Sequence, residues 1–188
     1  MSATPFGAWA TSLLATHPRQ PDQRSCGASV LVVERALRDE DYARWLTEDA
    51  SRFGSEALGT HGRTTRAVTA AGRLQLPWPR ALGTPPWAVA GELTASTGRR
   101  WGFRTILRRE PAWEALVAAV EAGSPSPLYV GSRWIPRHVV LTVGASDTAI
   151  QCYEPGSGRV LSVTREAFLD ATFRLAGWTK PWFVVVPA

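Results

Sequence analysis

Apolar positions change period partway along the chain. Up to about residue 122 they recur mostly at helical spacing, and beyond it they run in short blocks bounded by Gly and Pro, as strands do. The spacing of Trp9, Leu13 and Leu14 predicts a helix over 5–16, followed by a loop at 17–25. From Cys26 to about Leu37 the run is too apolar for a surface helix and predicts a buried one. Tyr42, Trp45 and Leu46 lie on one side of an amphipathic helix predicted from Tyr42 to Phe53. Residues 55–73 fit no single pattern, with 64–71 compatible with a helix ended by Gly72. Pro85-Pro86 and Gly98 bracket a helix from Trp87 to Ser96, and Pro111 and Gly123 bracket another from Ala112 to Ala122.

Trp101 to Ile106 alternates like a strand. The later strands are Pro127–Gly131, His138–Gly144, Ala149–Glu154, Arg159–Val163 and Trp182–Val186. A short helix capped by Thr164 follows the fourth of these. A helical first half followed by a mostly antiparallel sheet is an α+β layout. No internal repeat or low-complexity segment interrupts it, and 188 residues suffice for one domain spanning 1–188.

Composition narrows the chemistry. The net charge is +5 and the pI near 10, but the cations are scattered arginines, with Lys180 the only lysine. No basic run interleaved with aromatics or nucleic-acid signature appears, so a nucleic-acid partner is not expected. Two cysteines, Cys26 and Cys152, are too few for a disulfide framework or structural zinc. His17 and His61 lie in polar or Gly-rich surroundings and read as surface residues, so no metal or other cofactor is expected. With no signal peptide and no long apolar span, the default location is the cytoplasm without a membrane partner, export by a signal-independent route being left open.

Cys26 carries the chemical interest. It stands in the first turn of the buried helix, where free N–H groups and partial positive charge favour a thiolate. Gln20, six residues upstream, carries a side-chain amide able to donate to an oxyanion; Gln23 is the rival for that role. His138 opens an apolar strand, and Glu154 ends the next one, so one hairpin brings carboxylate to imidazole. A thiol on a helix facing a His–carboxylate pair on a sheet is the arrangement thiol nucleophiles use. Asp147 reads as a hairpin residue. Cys152 shares a strand face with Glu154, which allows either a redox latch or plain packing. Among the nine tryptophans, Trp9, Trp45 and Trp113 fit helix core faces. Trp78, Trp87, Trp101 and Trp134 fall near Pro, Gly or Arg, and Trp134, four residues before His138, is the best candidate for a substrate groove together with Gly27.

On these residues the chain resembles the papain-like cysteine peptidases, in particular their bacteriocin-processing, C39-like branch. The matching features are Gln20, Cys26-Gly27 opening a helix, His138-Val139-Val140, and Glu154-Pro155-Gly156. Ser25 stands where that branch often has an acid, Ala28 where it often has proline, and Glu154 where Asp is usual. The resemblance spans residues 20–188, with the middle similar only in layout. It implies a papain-like fold and a thiol enzyme that cleaves or transfers an amide bond of a peptide or protein substrate. Cys26 is then the nucleophile, His138 the proton shuttle, Glu154 its orienting acid and Gln20 an oxyanion donor. Peptidase, deamidase and transglutaminase-like effector chemistry share that residue set. The alternative is a catalytically weak or inactive binding module on the same fold.

Overall fold

The computed structural model describes residues 6–66 and 83–188. The helices are α1 (Ala8–Ala15), α2 (Cys26–Arg38), α3 (Glu40–Glu48), α4 (Ala50–Thr64), α5 (Pro86–Thr97), α6 (Arg109–Glu121) and α7 (Arg165–Asp170). The strands are β1 (Trp101–Thr105), β2 (Ser126–Gly131), β3 (Pro136–Ala145), β4 (Ala149–Glu154), β5 (Arg159–Thr164) and β6 (Lys180–Pro187). They form one sheet in the order β1-β6-β2-β3-β4-β5, with every neighbouring pair antiparallel. The layout is α+β, as the sequence predicts.

Period-2 alternation along the strands divides the apolar side chains between two layers. On one face Tyr129, Val139, Leu141, Tyr153 and Val185 pack against α2 and its neighbours. On the other, Leu128, Val140, Ile150, Cys152 and Val184 pack with Trp113 and Leu116 of α6 and Phe168 of α7. Eleven of the thirteen residues of α2 are buried, which explains why its sequence shows no polar stripe. The exception inside that run is Glu34. Its carboxylate is sunk in the core and held by Arg38 through two bonds of 2.6 and 2.9 Å. Burial pushes the Glu34 carboxyl above its usual range, and Arg38 works against that shift.

Several predicted bounds move. The single helix expected from Tyr42 to Phe53 is two helices, because aspartates compete for the backbone. Asp39 caps α3 by accepting from the Tyr42 N–H at 3.0 Å, and Asp49 caps α4 by accepting from the Ser51 N–H at 2.8 Å. Trp45 is consequently 40% exposed, under the Arg52 guanidinium, instead of lying in the core. The ambiguous stretch begins as a regular part of α4, while the possible helix at 64–71 beyond residue 66, Gly72 and Trp78 lie outside the described residues. Helix α6 starts at Arg109, ahead of Pro111, whose missing N–H costs nothing within the first turn. Trp101 opens β1, as the alternation predicts, and is buried.

Candidate active site

The site is built where the start of α2 meets one end of the sheet. Cys26 is the first residue of α2. Residues 17–25 reach it through a tight turn in which Asp22 Oδ1 accepts from the backbone N–H groups of Arg24 and Ser25, both at 2.8 Å. Partial burial opposes ionisation of Asp22, but those N–H donors outweigh it and hold its carboxyl below the usual range. The same segment is pinned to the end of β4 and the turn that follows it. The Gln20 N–H donates to Pro155 O at 2.8 Å, Arg19 Nε to Gly156 O at 3.1 Å, and the buried Tyr153 hydroxyl to Pro18 O at 2.6 Å. Gly158, at φ +72°, completes the join: a Cβ there would stand 2.4 Å from His17 O. The approach to Cys26 and the turn after Glu154 thus form one packed unit.

His138 and Glu154 meet at that junction. His138 pairs with Val130 near the start of β3, and Glu154 ends β4. Both are buried, and His138 Nε2 lies 2.7 Å from Glu154 Oε1. The extra methylene of Glu154 is taken up by the turn that follows. The Gly156 N–H donates to Oε1 at 2.6 Å and the Ser157 N–H to Oε2 at 2.8 Å. Burial opposes charge on Glu154, but His138, the Ser157 side chain and the Gly156 N–H overcome it and lower its pKa to about 2.

Burial likewise opposes charge on His138. It is outweighed by side-chain hydrogen bonding to Cys26 and then to Glu154, together with their negative charge, and the imidazole is raised to about 9. Because Nε2 is occupied by Glu154, Nδ1 is the nitrogen left to exchange a proton with the thiol. Cys26, His138 and Glu154 therefore lie in one interacting line.

Around this line the other candidates separate. Gln20 is near by sequence and by its backbone bond to the turn after Glu154, but one of its Nε2 protons is donated to Asp22 O at 2.7 Å and its buried Oε1 has no partner among the described residues. A carboxamide nitrogen has two protons, so one donor remains. Gln23 is exposed. Gly27 has a steric reason to lack a side chain: its Cβ would stand 2.8 Å from Thr84 Cβ. Trp134 is 71% exposed in the turn between β2 and β3. His17 is exposed, as expected. His61 is not a surface residue; it is buried in α4, and its charge helps lower Asp22. Asp147 is an exposed turn residue.

Cys152 is fully buried in the layer beneath α6, whereas Cys26 belongs to the opposite layer. Burial pushes its thiol up to about 12, despite a weak contact with Thr142. Its shared strand parity with Glu154 holds, yet it supports packing and not a latch.

Two neighbours of Cys26 gave no sequence signal. Tyr129 is fully buried and donates to Thr84 O at 2.9 Å; burial first, and negative charge at Cys26 second, push its phenol far up. The hydroxyl of Thr84 is itself buried and has no partner among the described residues. By contrast, the turn Gly156-Ser157 after a strand-end acid was a readable source of backbone donors.

Among the described residues no cluster of three or more His, Cys, Asp or Glu could hold a metal ion. No described helix is long and apolar enough to cross a membrane.

No family model matches the chain, and no curated protein matches it. Among solved structures it is similar to the peptidase domain of Streptococcus ComA, a bifunctional ABC transporter involved in a quorum-sensing pathway. The TM-score is 0.41 at 15% identity, over 91% of this chain and 97% of that one.

Proposed function

We propose that this chain is a papain-like thiol enzyme acting on an amide bond of a peptide or protein. The observation that carries the reading is the buried His138, held by Glu154 at 2.7 Å and near enough to Cys26, the first residue of α2, for that side chain to act on its charge. In this account the Cys26 proton passes to His138 Nδ1, leaving a thiolate–imidazolium pair. The sulfur attacks the substrate carbonyl, and negative charge develops on its oxygen. The Cys26 backbone N–H, unpaired within the helix, and the remaining Nε2 proton of Gln20 donate to that oxygen. His138 then protonates the departing amine, and a thioester remains on Cys26. Water resolves it in a peptidase or a deamidase, and a second amine resolves it in a transferase. Glu154 keeps the imidazole in the tautomer and orientation that both proton transfers require.

The test is a mixture of defined peptides incubated with the protein and with its Cys26→Ala variant, read by mass spectrometry. New peptide termini identify a peptidase, a gain of about 1 Da at Gln a deamidase, and amine adducts a transferase. At least one of these changes is expected with the wild-type protein and none with Cys26→Ala. Changes that persist in Cys26→Ala, or a mixture left intact by the wild type, would contradict the reading. Gln20→Ala is expected to slow turnover roughly 10²-fold, the usual cost of one oxyanion donor.

A further inference from the structure

The end of the sheet that carries His138 also carries a band of cations and exposed aromatic rings. Strand pairing fixes this placement. Gly131 pairs with Pro136 on one side and with Lys180 on the other, two residues before His138 in β3. Thr105 at the end of β1 pairs with Phe183 of β6, and the Ile106 N–H donates to Trp182 O at 2.8 Å. Arg104, Arg133, Arg137 and Lys180 are therefore gathered at one end of four adjacent strands.

The turn after β2 is held rigidly there. Trp182 Nε1 donates to Ser132 O at 2.9 Å, and the Ser132 hydroxyl accepts from the N–H groups of Trp134 and Ile135 at 3.2 Å. The Arg133 guanidinium lies 4.3 Å over the Trp134 ring and Lys180 Nζ 4.7 Å over the Trp182 ring.

What this band lacks is a counter-charge. The sequence holds no Asp or Glu over 93–109, 122–146 or 171–188, the segments that supply it. Among the described residues, no ion pair satisfies Arg104, Arg133, Arg137 or Lys180. Of the carboxylates near the site, Glu154 is buried and committed to His138 and the Gly156 and Ser157 N–H groups, and Asp22, in the turn before Cys26, accepts from the Arg24 and Ser25 N–H groups. By contrast, α3 and α4 carry mixed charge, in the pairs Arg44–Asp41 and Arg52–Glu48. A preordered cationic lip beside the nucleophile selects anionic partners and speeds their encounter. Its alternation of cation and ring suits an extended peptide with acidic side chains interspersed with apolar ones, each type meeting its complement.

We propose that the lip formed by Arg133, Trp134 and Lys180 is the docking surface for an acidic, aromatic-bearing peptide segment, placing it beside Cys26. This deepens the reading given under Proposed function and rests on it for its biological sense, but its test reads binding and not turnover.

The probes are three fluorescein-labelled twelve-residue peptides with the same aromatic residues, carrying Glu, Gln or Lys at four fixed positions. They are titrated against full-length Cys26→Ala protein by fluorescence anisotropy, so that no bound peptide is consumed. The Glu peptide is expected to bind at least about tenfold more tightly than the Gln peptide, and the Lys peptide more weakly still. That preference is expected to shrink between roughly 50 and roughly 500 mM NaCl as the charges are screened. Combining Arg133→Glu with Lys180→Glu, both at solvent-accessible positions, is expected to reverse the order and favour the Lys peptide. Trp134→Ala is expected to weaken the Glu peptide several-fold without changing the order. Arg44→Glu, on the surface of α3, serves as the charge-changed control and is expected to leave the order intact. Unaltered melting temperatures establish that each variant is folded. Equal affinity for the Glu and Lys peptides, or a Glu preference that survives the double reversal, overturns the proposal. So does binding confined to vesicles of phosphatidylserine in phosphatidylcholine or to a short single-stranded DNA, run in parallel. If the peptide order holds while Cys26 proves unreactive, the docking surface stands and the enzymatic reading falls.

Discussion

A buried glutamate at a strand end has to put its carboxylate somewhere, and here the next three residues provide the space and the donors. Gly156 has no Cβ, and one added there would stand 2.8 Å from Glu154 Oε1. That oxygen is held at once by His138 and by the Gly156 N–H, so it has little freedom to yield. Gly156→Ala is expected to lower turnover about tenfold or more by displacing the carboxylate, with the protein still folded by circular dichroism. Glu154→Gln keeps the shape and removes the charge, and a loss of roughly 10²-fold or more is expected in a proton-transfer reaction. Both variants should also lower the His138 pKa from about 9, readable in its ring proton shifts.

Linkage makes the same pair a pH-dependent stabiliser. His138 is raised from 6.5 to about 9, so its contribution is complete below pH 6.5 and is lost as pH rises towards 9. Glu154 is lowered from 4.5 to about 2, so its contribution is complete above pH 4.5 and is lost as pH falls towards 2. The melting temperature is expected to plateau between these limits and to fall on both sides. In Glu154→Gln the acid-side fall attributable to this group should vanish and the alkaline fall should shrink. A melting curve flat from pH 5 to pH 9 would exclude a charged His138 in the folded protein.

At the scale of elements, the decisive join is the one between the approach to α2 and the turn after β4. Gly158 occupies a left-handed backbone conformation and touches His17 O too closely for any side chain. Gly158→Ala adds both backbone strain and a clash with a main-chain atom, so a loss of about 2 kcal/mol or more is expected from thermal or urea unfolding. Because residues 17–25 lead directly into Cys26, the same variant should slow thiol labelling, whereas a merely local loop defect would leave labelling unchanged.

The elements were largely readable from the sequence for a simple reason. Gly98, Gly123 and the Thr164 cap act locally, and so does the alternation of apolar residues in the strands. The break at Asp49 is not legible in the sequence, because an aspartate on a helix face and an aspartate capping the next helix look alike until the backbone turns. Of the site, Cys26, His138 and Glu154 could be named from their positions at element ends. Thr84 and Tyr129 could not, since their nearness to Cys26 depends on the packing of segments far apart in the chain.

Across the whole molecule, the sheet separates the layer that holds Cys26 from the layer that holds Cys152. Cys152 lies in the second, so Cys152→Ala is expected to cost about 1–2 kcal/mol of stability through lost packing while leaving Cys26 reactivity unchanged. A mild oxidant should produce no intramolecular disulfide between the two cysteines, as shown by intact mass. Formation of that disulfide in the folded protein would refute the two-layer separation.

The central claim is that His138, aligned by Glu154, activates Cys26. It is tested most directly by the pH profile of Cys26 alkylation with iodoacetamide, followed by mass spectrometry in the wild type and in His138→Ala. Labelling of the wild type is expected to be appreciable at about pH 6, well below the ordinary thiol range near 8.5. His138→Ala is expected to shift that profile alkaline by at least about one unit, since the thiolate loses its imidazolium partner. Identical profiles for the two proteins, or a wild-type Cys26 that reacts only in the ordinary thiol range, would contradict the account.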